Sequence, residues 1–301
     1  MDATATLSAE RLLRRLEWRV VRRLDGLLQG DYRSLFKGMG LDFTDLREYE
    51  PGDDLRHIEW NVTARLDTPF VREYVEDREI TTWLLLDLSA SMGFGPIDRQ
   101  KGLVVAEVAT VVSRVLTRGG SRVGAILFDT GVTTVIPPAS GRNQVLRIAK
   151  SALDQRQHQR GGAGSVTDLA ALFRAAAGLA RRRSLVIIVS DFISADGWER
   201  PLSLLARRHE VVALQVSDPR ESDLPDVGSI YVEDAETGEQ IFVDTSDPGF
   251  RQRLATAAAE GQEELEARTR RVGVDLHGIS TDDDLVRALV RVSELRRRRR
   301  R

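Results

Sequence analysis

The chain has 301 residues; 42% of them are hydrophobic, 30% are charged, and the formal net charge is −2. This balance argues against nucleic-acid binding, because a nucleic-acid-binding face needs clustered basic residues. The sequence contains no cysteine, which excludes disulfides, a cysteine nucleophile and cysteine-ligated metal sites. No apolar run approaches the roughly 18 residues that a membrane span needs, and the N-terminal segment lacks the apolar stretch of a signal peptide. We therefore expect a cytoplasmic protein without a transmembrane segment.

Residues 1–30 are predicted to carry one amphipathic helix. Leucines recur at helical spacing over residues 8–29, Ser8 is a suitable N-cap, and Gly30 ends the pattern. The arginines lie largely off the leucine stripe, so the helix can dock on its own protein, on a partner or on an anionic membrane. We favour the first of these, because a leucine-rich stripe is what any docked helix needs.

Residues 31–80 are rich in charged and turn-forming residues. Pro51-Gly52 marks a turn, and the alternation over residues 70–76 predicts a strand. We interpret the segment as extended, with short strands, and expect its apolar residues to pack on the main domain or on the N-terminal helix. These apolar residues are Phe36, Leu41, Phe43, Trp60, Phe70 and Val71.

Residues 81–295 alternate strand and helix patterns. Apolar strands separated by helices predict a parallel sheet covered on both faces, and the turn Asp129-Thr130-Gly131 adds an antiparallel edge hairpin. The expected fold is therefore α/β, doubly wound and mostly parallel, of Rossmann type. The arginine run from Arg296 to Arg301 is predicted to be a disordered, solvated tail, with contact to nucleic acid or anionic lipid as the alternative.

Polar side chains follow the predicted strands at one edge of the sheet. Asp87, Ser89 and Ser91 end the first buried strand, and alternation projects them together. Asp191 follows a later buried strand, and Thr167 precedes a helix. Ligands bind beyond the carboxyl ends of parallel strands, and oxygen donors of this kind suit Mg²⁺ or Mn²⁺. The sequence therefore predicts a metal site; the alternative is that the hydroxyls cap helices and the aspartates cap loops.

These five residues resemble the metal-ion-dependent adhesion site of von Willebrand factor A domains. That family's pattern is D-x-S-x-S after the first strand, then a threonine, then an aspartate after the fourth strand. The resemblance implies that Ser89, Ser91 and Thr167 coordinate the ion largely directly, while Asp87 and Asp191 act mostly through water. It also implies that an acidic residue of a partner protein supplies the last ligand. An ion with few direct carboxylates keeps positive character toward such a residue.

A wider resemblance covers most of the chain. The stretches FTDLREYEPGDDLRHIEWNVTAR, LLLDLSASM and VSDPRESDLPDVGSIYVEDAETGEQIFVDT are similar to the signature of bacterial DUF58 proteins, a family with a von Willebrand A-like domain. The resemblance implies work beside a MoxR-type AAA ATPase, as an adaptor in chaperone-like maturation of a client or in metal insertion. We therefore expect a metal-dependent protein-binding adaptor and not an enzyme.

The competing hypothesis is a Mg²⁺-dependent hydrolase that uses Asp87 or Asp191. A phosphatase of the haloacid dehalogenase type needs a second aspartate two positions after the nucleophile, where this chain has Ser89. It also needs a lysine near the phosphate, and the chain has only Lys37, Lys101 and Lys150. No convincing pair of nucleophile and base is visible.

Two other groups of residues are candidate sites. Asp53 and Asp54 follow Pro51-Gly52 and could form an acidic metal site, but such a run is more often a solvated turn. The four histidines, His57, His158, His209 and His277, have no zinc spacing. We assign no chemistry to Asp53, Asp54 or His57.

Overall fold

The computed structural model describes residues 3–16, 45–51, 53, 58–66, 68–73, 81–95, 99–158, 167–233 and 239–299. The chain divides into two compact units. One consists of residues 37–79, and the other of residues 1–36 together with residues 80–301.

The first helix, α1, spans Ala3–Leu16. It begins ahead of Ser8, which lies inside the helix, so the prediction of Ser8 as N-cap is wrong. Ala3 and Ala5 explain the earlier start, because alanine has the highest helix propensity. Residues 17–29 of the predicted helix lie outside the described residues.

The unit of residues 37–79 contains a short antiparallel pair, β1 (Asp45–Glu48) and β2 (Phe70–Glu73), with a helix between them, α2 (Trp60–Leu66). The strand expected within residues 70–76 is thus confirmed. Val71 is buried, whereas Trp60 exposes 68% of its surface. Trp60 is therefore not a core residue. Phe36, Leu41 and Phe43 lie outside the described residues.

The larger unit alternates strands and helices. Its strands are β3 (Thr81–Asp87), β4 (Arg122–Phe128), β5 (Val132–Ala139), β6 (Leu185–Ser190), β7 (Glu210–Ser217), β8 (Ser229–Glu233), β9 (Gln240–Asp244) and β10 (Asp275–Ser280). Its helices after α1 are α3 (Lys101–Arg118), α4 (Arg142–His158), α5 (Leu169–Leu179), α6 (Glu199–Arg208), α7 (Pro248–Arg271) and α8 (Leu285–Arg299).

Six strands form one sheet in the order β10-β7-β6-β3-β4-β5. All neighbours are parallel except β5, which pairs antiparallel with β4 at the edge. The predicted α/β class and the predicted edge hairpin are therefore confirmed. The strands β8 and β9 form a separate antiparallel pair.

Helices cover both faces of this sheet, and β3 shows why. Its side chains alternate: Leu84 and Leu86 join one buried cluster, and Trp83 and Leu85 join the other. The first cluster is closed by α1, α3, α4 and α8, and the second by α5, α6 and α7. Both faces of β3 are apolar because both are covered.

The N-terminal helix docks on its own protein. Leu12 and Leu16 belong to the first cluster, and Leu13 is completely buried. Among the elements described, α1 packs mainly against α4 and also against α3. The docking that we favoured from the leucine stripe is confirmed for residues 3–16.

The arginine-rich end is more ordered than predicted. The helix α8 continues to Arg299, and Arg296 forms an ion pair with Glu210 at the start of β7. The expectation of a disordered tail from Arg296 onward is therefore wrong for residues 296–299. The Glu210 carboxylate holds Arg296 against the domain. No described helix combines the length and the apolar character that crossing a membrane requires.

Candidate functional site

The candidate site lies where the strand order of the sheet reverses. From β3 the chain passes to β4 on one side, and it later returns to place β6 on the other side. Such a switch point leaves a crevice beyond the carboxyl ends of the two central strands, which is where open α/β sheets bind ligands. Asp87 is the last residue of β3, and Ser190 is the last residue of β6, followed by Asp191.

Asp87 is a completely buried carboxylate. Its Oδ1 accepts a hydrogen bond of 3.0 Å from the backbone N–H of Ser89, and its Oδ2 accepts one of 2.6 Å from Ser190 Oγ. Burial, and then the neighbouring carboxylate of Asp191, raise the pKa of Asp87 to about 7. A carboxylate that is buried beside a second one favours the arrival of a cation, because the cation offsets both effects.

The two serines of the motif lie side by side. Ser89 Oγ and Ser91 Oγ are 3.2 Å apart, and both residues are buried. Ser89 stands at the N-cap of a 3₁₀ turn, Ala90–Gly93, but its side chain makes no capping hydrogen bond. The alternative interpretation of Ser89 as a helix cap is therefore wrong, and its hydroxyl is oriented toward Ser91.

Thr167 is buried beside the loop that follows β6. Its carbonyl oxygen accepts hydrogen bonds of 2.9 Å from Ala195 N and from Ser194 Oγ. The N-cap of α5 is Asp168, whose carboxylate accepts a bond from Ala171 N. Thr167 is thus not the cap that the alternative interpretation requires, and its backbone ties the start of α5 to the segment after Asp191.

Asp191 begins a tight turn at the end of β6. Its Oδ1 accepts a hydrogen bond of 3.0 Å from Ile193 N, and its Oδ2 lies 2.7 Å from Lys101 Nζ. Phe192, the next residue, has a φ of +63°, a left-handed conformation that non-glycine residues rarely adopt. Its N–H donates to Ser190 Oγ over 2.9 Å. Ser190 therefore fixes both Asp87 and the turn that carries Asp191.

The structure thus places Asp87, Ser89, Ser91 and Asp191 together at the carboxyl ends of β3 and β6, and it anchors Thr167 to the loop that follows β6. That these five residues hold a metal stays a prediction. In the part of the chain that the structure describes, no three histidine or acidic side chains are grouped as a metal site. The other oxygen donors of the predicted site are the hydroxyls of Ser89, Ser91 and Thr167, all three of which belong to buried residues.

Lys101 is not among the residues predicted from the sequence, yet it contacts Asp191 directly. Its side chain is fully buried, and its Nζ lies 2.7 Å from Asp191 Oδ2 and 2.5 Å from Glu221 Oε1. Burial lowers the pKa of Lys101, but the charges of Asp191 and Glu221 outweigh that effect and raise it. Lys101 is therefore a cation. The rarity of lysine was the available signal, since arginine supplies nearly all of this chain's positive charge.

The other candidate residues belong to structural features. Asp53 Oδ2 accepts a hydrogen bond of 2.9 Å from Glu50 N, which makes it a turn residue as we favoured. Asp54 and His57 lie outside the described residues. His209 and His277 are buried, and burial lowers the pKa of His277 to about 4 with a contribution from Arg296. Both histidines thus remain core residues.

The parallel sheet, its helices on both faces and the buried polar side chains at its switch point define a doubly wound α/β protein. The chain belongs to the DUF58 family, whose model, described as a protein of unknown function, matches residues 45–264. It is 37% identical over 286 residues to uncharacterised proteins of Mycobacterium tuberculosis and Mycobacterium bovis, covering 95% of this chain and 89% of each relative.

Solved structures give more distant likenesses. The chain is similar to BatB from Bacteroides thetaiotaomicron, with 16% identity, a TM-score of 0.45, and coverage of 74% of this chain and 100% of that one. It is also similar to an aerotolerance-related membrane protein from Bacteroides fragilis, with 16% identity, a TM-score of 0.41, and coverage of 71% and 97%.

Proposed function

We propose that this protein is an adaptor that captures a partner protein through a divalent metal ion, Mg²⁺ or Mn²⁺. Asp87, Ser89, Ser91, Thr167 and Asp191 hold the ion at the carboxyl ends of β3 and β6. The observation that carries the proposal is the buried Asp87 carboxylate beside two serine hydroxyls that lie 3.2 Å apart. In this proposal the hard oxygen donors resemble the metal site of von Willebrand factor A domains.

The charges of the crevice support a divalent cation. Asp87 and Asp191 contribute two negative charges when ionised, and of these two carboxylates Lys101 contacts Asp191. Glu221 adds a further negative charge on the other side of Lys101. With Asp87 ionised, the four groups together carry a net charge of −2, which a divalent cation would offset.

The residues of the chain have separable roles in this proposal. Both oxygens of Asp87 are already engaged by Ser89 N and Ser190 Oγ, which suits a carboxylate that acts on the ion through water. The hydroxyls of Ser89 and Ser91 are the direct ligands. When bound, the ion supplies a positive centre toward which a partner's carboxylate is drawn.

The partner is proposed to be a MoxR-type AAA ATPase or its client. This part of the proposal is supported by the resemblance to the DUF58 family, to which the chain belongs. The chemistry of the site requires only that the partner presents an exposed aspartate or glutamate, because the ion's remaining position needs an oxygen donor.

A hydrolase remains the competing function, and one observation favours it. A phosphatase needs a lysine near the phosphate, and Lys101 is a buried cation beside Asp191. Against it, Asp87 is completely buried and both of its oxygens accept hydrogen bonds, and Asp191 is paired with the lysine. Neither carboxylate is free to act as a nucleophile, so we retain the adaptor.

The experiment is co-purification with the MoxR-type ATPase, in Mg²⁺ or in chelator. We expect capture by the wild type in Mg²⁺ only, and no capture by Asp87→Ala or Thr167→Ala. Asp168→Asn is the matched control, because Asp168 caps α5 with a partly exposed side chain. Capture that survives both chelator and the two substitutions would refute the adaptor, and Mg²⁺-dependent phosphoester turnover that is lost in Asp87→Ala would establish the hydrolase.

A further inference from the structure

Lys101 lies at a position where a positive charge is unfavourable. It is the first residue of α3, where the helix dipole is positive, and its side chain has no exposed surface. Burial of an ammonium group is costly unless it is paired. The two carboxylates that contact Lys101 Nζ, Asp191 and Glu221, supply that pairing.

Glu221 is held independently of Lys101. Its Oε2 accepts a hydrogen bond of 2.9 Å from Asp218 N in a capping box at the end of β7. Asp218 in turn accepts a bond of 2.5 Å from Thr281 Oγ1, beyond β10. Glu221 therefore keeps its position whether or not Lys101 contacts Asp191.

The identity of residue 101 also carries information. Lysine accounts for three residues, 37, 101 and 150, in a chain with 44 basic residues. Arginine is thus the usual cation of this protein, yet the buried position has a lysine. A compact ammonium fits between two carboxylates where a planar guanidinium needs more room.

We propose that Lys101 is a built-in counter-ion that sets the affinity of the crevice for divalent cations. Without a metal, the Lys101 ammonium is paired with both Asp191 and Glu221. When a metal binds, the ammonium remains paired with Glu221, and the Asp191 carboxylate interacts with the ion instead. This inference rests on the proposed function. The positive charge of Lys101 repels the ion throughout, so the lysine makes metal binding weaker than the five oxygen residues alone would give.

The test is calorimetric titration of the purified full chain with Mn²⁺. Lys101→Met removes the charge while keeping an unbranched side chain, and we expect it to tighten Mn²⁺ binding by about tenfold or more. Lys101→Arg keeps the charge and should not tighten binding. Lys150→Met, on α4, is the matched control for loss of a lysine and should leave the dissociation constant unchanged.

Glu221→Gln should weaken Mn²⁺ binding, whereas Lys101→Met should tighten it. It removes the acceptor that retains Lys101, so Lys101 stays on Asp191 and Mn²⁺ binding weakens. The weakening should be smaller in the Lys101→Met background, because there is no ammonium left to release. Equal effects of Glu221→Gln in both backgrounds would overturn the retention of Lys101 by Glu221.

Thermal unfolding in chelator separates this role from a purely structural one. Lys101→Met should lower the melting temperature without metal, since Asp191 and Glu221 lose their partner, and Mn²⁺ should raise it more than in the wild type. A lower melting temperature with an unchanged or weaker Mn²⁺ affinity would overturn the inference while the proposed function stands. If Lys101→Met does not fold, Lys101→Gln, which also removes the charge, takes its place in both comparisons. If neither wild type nor any variant binds Mn²⁺, the proposed function fails and the inference falls with it.

Discussion

Ser190 Oγ donates a hydrogen bond of 2.6 Å to Asp87 Oδ2 and thereby joins the carboxyl ends of β6 and β3. The two residues are 103 positions apart in the chain and both are completely buried. The same Ser190 Oγ accepts the N–H of Phe192. One hydroxyl thus orders the carboxylate on one strand and the turn on the other.

The substitution Ser190→Ala tests this connection. It leaves Asp87 Oδ2 and Phe192 N without their shared partner, and an unsatisfied buried group costs about 1–3 kcal/mol. We expect a loss of unfolding free energy in that range, measured by urea denaturation in chelator. Ser222→Ala, which removes an exposed hydroxyl bond to Pro219, is the control and should change the free energy by less than about 0.5 kcal/mol. Equal effects of the two substitutions would contradict the account.

The raised pKa of Asp87 predicts a pH dependence of stability. Its pKa is about 7 in the folded protein and 3.8 in the reference state, so between these values the folded state binds more protons than the unfolded state. Stability therefore falls as the pH rises from about 4 to 7 and levels off above. We expect the wild type to lose more stability than Asp87→Asn over this range, in chelator, by urea unfolding at a series of pH values. Parallel profiles would show that Asp87 is ionised throughout.

The packing of α1 gives a third prediction. Leu13 is completely buried, and truncation of a buried leucine to alanine costs about 2–5 kcal/mol. Leu13→Ala should therefore lower the unfolding free energy by an amount in this range. Arg14→Ala, at an exposed position on the same helix, should have little effect. If Leu13→Ala were as stable as Arg14→Ala, the helix would not be part of the folded domain in solution.

The sequence was sufficient to predict the sheet and the edge at which the site lies. Buried strands such as β6 read as continuous apolar runs, and the polar residues that follow them mark the carboxyl ends, because parallel strands end at one edge. Asp87 and Asp191 were therefore predicted from position alone. The proximity of Ser89 and Ser91 is expected from alternation along an extended segment, but in the structure it arises from the 3₁₀ turn Ala90–Gly93 that begins after Ser89.

Lys101 could not be placed in the same way. It lies ten residues after Ser91 at the start of a helix, and its burial depends on Asp191 and Glu221, which are 90 and 120 positions away. Local patterns carry no information on such contacts. The end of α8 was missed for the same reason: the helix extends to Arg299, and Arg296 pairs with Glu210 at the start of β7.

The proposed function requires that Asp87, Ser89, Ser91, Thr167 and Asp191 hold one divalent ion. Electron paramagnetic resonance detects this binding, because free Mn²⁺ gives a signal that weakens when the ion binds. We predict that the wild type binds one Mn²⁺ per chain, that Mg²⁺ displaces it, and that Asp87→Ala and Thr167→Ala abolish binding while Asp168→Asn retains it. An undiminished free Mn²⁺ signal with the wild type, or equal binding by Asp87→Ala, would contradict the account.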